Sequence, residues 1–122
     1  AVMAPGISNA DRQINRMAQS AHPKSMRDDL YFWGVENADP ERVNRIDSSR
    51  VPLYFYAGEY DFTCPPEHVQ QSARRIGPEV QYETIRGVGH FPMSEDYEIF
   101  RPILMRTLGD IEGRQKMSKN AA

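Results

Sequence analysis

Two side chains in this 122-residue sequence stand where proton transfer could be carried out: Asp61, in "VPLYFYAGEYDFTCPPE", and His90, in "RGVGHFPMSEDYEIF". His90 lies between Gly87, Gly89 and Phe91-Pro92, a frame that lets the backbone turn sharply and aim the ring outward. Asp61 precedes it by 90 − 61 = 29 residues. A carboxylate beside an imidazole accepts from one ring nitrogen, fixes the tautomer and stabilises the imidazolium. The other nitrogen is then free to take a proton from a nucleophile. Each residue also has an ordinary use, Asp61 as a turn or helix-cap residue and His90 as a loop residue. Their joint placement is what points to chemistry.

That placement depends on the flanking elements. "VPLYFYAG" is a near-continuous apolar run, the pattern of a strand over Val51–Ala57 covered on both faces. "CPPEHVQQSARRIG" reads as a helix opened by prolines, with Glu67 in its first turn, Arg74 and Arg75 in its last, and Gly77 as its stop. "VQYETI" is a second strand. "SEDYEIFRPILMRTLGDI" is a closing helix whose Ile99, Phe100, Ile103, Leu104, Thr107, Leu108 and Ile111 share one face, with Pro102 expected to kink or divide it.

Strand, helix, strand, helix implies parallel pairing through a right-handed crossover. Neighbouring strands lie about 4.8 Å apart, so residues just past their carboxyl ends can reach one another. Open α/β sheets gather their working residues there. A parallel sheet of two or three strands leaves edges unpaired, so further strands are expected outside this chain.

Residues 1–49 differ in character. "AVMAPG" reads as the end of a strand, and "SNADRQINRMAQSA" as a helix capped by Asn9 or Asp11, with Ile14, Met17, Ala18 and Ala21 on one face. His22-Pro23 ends it. Ser25 caps a short helix carrying Leu30, Tyr31, Phe32 and Trp33, and Asp39-Pro40 opens another bearing Val43 and Ile46. The aromatic cluster serves either as core or as the wall of an acyl pocket. Residues 112–122 form a polar tail, expected to fray.

From residue 50 to about residue 111 the chain resembles the C-terminal part of the α/β-hydrolase family, through G-x-x-D after one strand and G-x-G-H-F-P after the next. The resemblance implies an α/β fold: part of a hydrolase parallel sheet with helices on both faces, preceded by helical lid segments. It makes Asp61 the triad acid and His90 the triad base, with Trp33, Phe62 and Phe91 as candidate substrate-binding residues. The family's order of nucleophile, acid and histidine puts the nucleophile upstream. Gly6-Ile7-Ser8-Asn9-Ala10 fits a small-x-Ser-x-small elbow only loosely, since no full apolar strand precedes it and "DRQINR" follows. Ser8 therefore reads as a loop or cap residue, and the nucleophile and oxyanion hole are expected outside this chain.

The implied activity is hydrolysis of an ester, lactone or similar acyl bond in a small-molecule substrate. The implied partner is the missing N-terminal part of the hydrolase, and no metal or organic cofactor is implied. Carbon–carbon hydrolysis, acyl transfer or dehalogenation would retain this half of the site, and a non-catalytic ligand-binding protein is the rival from another class.

Bulk properties narrow the field. A net charge of −2 with both signs interspersed argues against nucleic acid as a partner. No apolar run approaches the ~20 residues of a membrane span. No charged-then-apolar run of the secretory kind is read in the sequence, and a cytoplasmic protein is the expectation. Cys64, the single cysteine, reads as a half-buried turn residue. His22, His68 and His90 lack metal-ligand spacing, and Pro92 takes the third glycine's place in the dinucleotide fingerprint that "GVGHFP" overlaps.

Overall fold

Two parallel strands and the helices on either side of them make up most of the ordered framework. The computed structural model describes residues 3–21, 28, 31–32 and 40–120. In chain order these form α1 (Asn9–Ala21), a 3-10 helix (Pro40–Arg45), β1 (Tyr54–Gly58), α2 (Pro66–Ile76), β2 (Gln81–Ile85), the single turn α3 (Pro92–Glu95) and the long α4 (Tyr97–Asn120). The protein is thus mixed α/β with a two-stranded parallel sheet. The register runs from Tyr54 opposite Gln81 to Gly58 opposite Ile85.

Alternation along the strands sorts side chains to two faces. On one face Tyr54 and Tyr56 hydrogen-bond Asp110 and Thr107 of α4, and Glu83 pairs with Arg106 of the same helix. On the other, the Tyr82 hydroxyl donates to the Pro66 carbonyl at 2.8 Å, and Ala73 of α2 is buried. Helices therefore cover both faces, as a parallel pair requires. The Tyr54 hydroxyl, and after it Arg114, hold the Asp110 carboxyl below its ordinary value. This part of the α4 clasp is complete above the ordinary carboxylate pKa and is lost as pH falls through the lowered one.

The core is small: Ile85, Val88 and Ile103, with Tyr56 and Phe100 packed against them. It sits directly beneath the turn that carries His90, so the same contacts that hold α4 to the sheet also support that turn.

Several boundaries depart from the sequence pattern. β1 starts at Tyr54 rather than Val51, because Pro52 has no N–H for a ladder and Val51 is 60% exposed. Residues 3–7 form a turn closed by Ile7 N–H on the Ala4 carbonyl, with no strand. In α1 the expected apolar face is reversed: Ile14 and Met17 are 59% and 72% exposed, while Asn15 is buried against α3. The segment opened by Pro40 is 3-10 in form, and Tyr31 and Phe32 are exposed. The assignments for His22, Ser25, Leu30, Trp33 and Asp39 lie outside the described residues.

The closing helix divides at Asp96 and not at Pro102. Asp96 is extended (φ −152°, ψ 94°), and its carboxylate accepts from Ile99 N–H at 3.0 Å to cap α4. Pro102 lies near the start of α4, where it removes one intrahelical bond and the helix continues past it. The helix also runs through most of the expected tail, to Asn120, with Asp110 and Arg114 paired one turn apart.

Because so few side chains are sealed, each one counts. Ile85→Ala should lower unfolding free energy by about 3 kcal/mol, read as a shift in the urea midpoint at unchanged slope.

Candidate active site

The site begins where the strands end. Beyond Gly58 and Ile85 the pairing continues as a zipper between loops: Glu59 N–H donates to the Ile85 carbonyl and Tyr60 N–H to the Val88 carbonyl, each at 2.9 Å. Gly87 N–H closes the seam on the Glu59 carboxylate at 2.9 Å. The approach is so close that a Cβ on Gly58 would stand 2.0 Å from the Gly89 carbonyl oxygen, inside hard contact with backbone. Gly87 supplies the left-handed turn, φ +78°, that a side-chain-bearing residue resists.

The zipper delivers Asp61 to His90. Asp61 is buried, and its Oδ2 lies 2.8 Å from His90 Nδ1. Its other oxygen accepts from Thr63 N–H at 2.8 Å and Cys64 N–H at 2.9 Å. The turn-residue reading and the acid reading of Asp61 therefore hold together, one on each oxygen. With a carboxylate accepting at Nδ1, that nitrogen carries the proton and Nε2 is left as the base. The His90 side chain is 32% exposed, open enough to meet a reactant.

His90 and Asp61 line an open groove of about 630 Å³ with Phe55, Val69, Met93 and Phe100. Its walls include β1 residues but no β2 residue, so it follows the edge of β1 that β2 leaves open. Phe91 meets the His90 ring edge-on, with centroids 4.8 Å apart at 81°. Phe62 is 77% exposed and does not line the groove. Trp33 lies outside the described residues. Ser8 is committed elsewhere: its oxygen accepts from Asp11 N–H and its hydroxyl donates to the Asp11 carboxylate, which makes it the cap of α1.

Two residues near the pair were given no site role from the sequence, and Cys64, expected to be a half-buried turn residue, is exposed. Cys64 lies beside the pair, and Glu95 is buried behind the histidine turn. Cys64 is near only because the Asp61 turn folds back, which no spacing rule signals. For Glu95 the available signal was an acid in the first turn of the helix opened by Pro92.

Asp61, Cys64 and His90 offer oxygen, sulfur and nitrogen donors within 4.8 Å of one another. Both Asp61 oxygens already accept hydrogen bonds, and an ion bound at His90 Nδ1 would replace the Asp61–His90 contact. Partial burial, and then the Asp61 charge, push the Cys64 thiol above its ordinary value. That keeps it protonated and a poor nucleophile near neutrality.

No protein-family model, curated protein or solved structure matches this chain. What the site can do is therefore judged on its own geometry.

Two outcomes follow from that geometry. Gly58→Ala should destabilise the fold by about 3 kcal/mol and separate the loops, seen by urea unfolding and by loss of the His90 Nδ1 proton resonance. Alkylation of Cys64 should rise with pH along a curve displaced upward from a free thiol. Asp61→Asn, which keeps an acceptor for the turn but removes the charge, should move that curve back down.

Proposed function

We propose that this chain supplies the acid and base of an α/β-hydrolase active site acting on a carboxylic ester or related acyl bond in a small molecule. The observation that carries this reading is the 2.8 Å contact between Asp61 Oδ2 and His90 Nδ1, formed just beyond the carboxyl ends of two parallel strands. Burial of Asp61 and exposure of His90 support it, since the orienting group is shielded and the working group is reachable.

In this mechanism a serine hydroxyl from outside the chain gives its proton to His90 Nε2 as its oxygen attacks the substrate carbonyl carbon. Asp61 stabilises the imidazolium so formed. The carbon–oxygen bond to the leaving group breaks, and His90 returns the proton to the departing alkoxide, leaving an acyl-enzyme. His90 then takes a proton from water, whose oxygen attacks the acyl carbon. The acid departs and the serine regains its proton.

Ser8 is a poor candidate for that serine because both its hydrogen-bonding roles are spent on α1. The open edge of β1 offers the rest of the enzyme a place to add strands, which would bring a nucleophile to the same end of the sheet. The largely apolar groove suits an acyl chain. A different nucleophile would divert the same pair to acyl transfer, carbon–carbon hydrolysis or dehalogenation.

The test is labelling of the full-length protein by a serine-directed phosphonate, with ester turnover measured in parallel. His90→Ala should cut kcat by at least about 10⁴-fold, and Asp61→Asn by about 10⁴-fold. Failure of the wild type to label or turn over would favour a ligand-binding protein. Residues 1–122 by themselves should be inactive, and robust esterase activity from them would return Ser8 to contention.

A further inference from the structure

A second buried carboxylate lies behind the histidine turn, and the acid–base pair makes no use of it directly. Glu95 is 7% exposed, and no cation is paired with it among the described residues. Its oxygens are instead satisfied by three backbone donors. Oε2 accepts from Gly89 N–H and from Ala4 N–H, each at 2.8 Å, and Oε1 accepts from Phe91 N–H at 2.9 Å. Gly89 and Phe91 are the residues immediately before and after His90. The carboxylate thus holds the backbone immediately before and after the histidine. The third bond ties residues 3–7, which lead into α1, to the same point; Ser94 hydroxyl to Asn15 Oδ1, at 3.1 Å, adds a second tie from α1.

A hydrogen bond to a charged acceptor in a shielded site is stronger than one between neutral groups. Three such bonds converging on one side chain make the turn stiff where His90 must keep its ring aligned. Other contacts reach this turn, Tyr60 N–H to the Val88 carbonyl and the Ser94 hydroxyl to the Phe91 carbonyl among them, but Glu95 is the side chain among the described residues that accepts from the N–H groups on both sides of His90.

We infer that Glu95 is the positioning residue for His90, fixing the backbone on both sides of the imidazole. This inference rests on the hydrolytic reading of His90 for its catalytic consequence, but its geometric content is independent of that reading.

The test uses the full-length protein and a Glu95→Gln variant. The substitution keeps size but turns an acceptor into an amide donor facing backbone N–H groups. Turnover of p-nitrophenyl acetate and the low-field proton resonance of His90 Nδ1 are measured together. The expected result is a fall in kcat of about 10²-fold at unchanged KM, with the resonance shifted or lost. Asn15→Ala, which removes the Ser94 tie to α1 but leaves the three hydrogen bonds of Glu95 in place, should leave both as in the wild type. Wild-type kcat and resonance in Glu95→Gln would overturn the proposal, as would equal damage from Asn15→Ala.

If Glu95→Gln does not fold, amide exchange in the unmodified protein decides. Gly89 and Phe91 should exchange only through global unfolding, and exchange at the rate of an exposed loop would overturn the assignment. A protein with no turnover but an altered resonance in Glu95→Gln would retire the hydrolytic reading and leave the positioning role standing.

Discussion

The contact between Gly58 and the Gly89 carbonyl is the constraint on which the rest of this structure depends. Parallel strands normally stop sharing hydrogen bonds where their loops begin. Here the absence of a side chain at position 58 lets the loops stay in touch for several residues more. Asp61 and His90 can bond only because their backbones are already aligned by that seam. A methyl group at one position would force the carboxylate and the imidazole apart without altering either.

Two buried acids flank the histidine and are handled in the same way. Asp61 gives one oxygen to backbone donors of its own turn and one to the ring. Glu95 gives both to backbone donors around the ring. Burying a carboxylate is costly unless its lone pairs are met, and among the described residues no buried polar side-chain atom is left without a partner. Both carboxylates are met by backbone N–H groups and the imidazole rather than by arginine or lysine. This makes the site sensitive to backbone geometry, so substitutions in the glycine turn should act on chemistry as well as stability.

The surfaces near the site carry more apolar area than the small core needs. Ile14 and Met17 of α1 face outward, Met93 is exposed beside the groove, and one edge of β1 is unpaired. A two-stranded parallel sheet with open edges is an uncommon endpoint for folding, since such sheets are ordinarily extended by further strands. This is the same physical pressure that, in the sequence, pointed to further strands.

Much of this architecture was legible from residue order alone. The prolines and Gly77 that bound α2, the strand at Gln81–Ile85, and the placement of Asp61 and His90 after successive strands all follow from local stereochemistry. Local rules allowed a division of the closing helix at Pro102 that falls instead at Asp96, because a missing N–H matters less near a helix start, and misjudged α1, because periodicity marks an apolar face without saying which side is covered. Whether Asp61 would serve its turn or the histidine could not be read in one dimension, since a carboxylate has two oxygens and only folding assigns them. Glu95 was hidden for a similar reason: its partners are backbone N–H groups, which every residue but proline carries, so no residue type announces them. Sequence therefore determined the elements and the chemical identities at their ends; tertiary structure decided which atoms meet, because that depends on approach distances that only a packed chain sets.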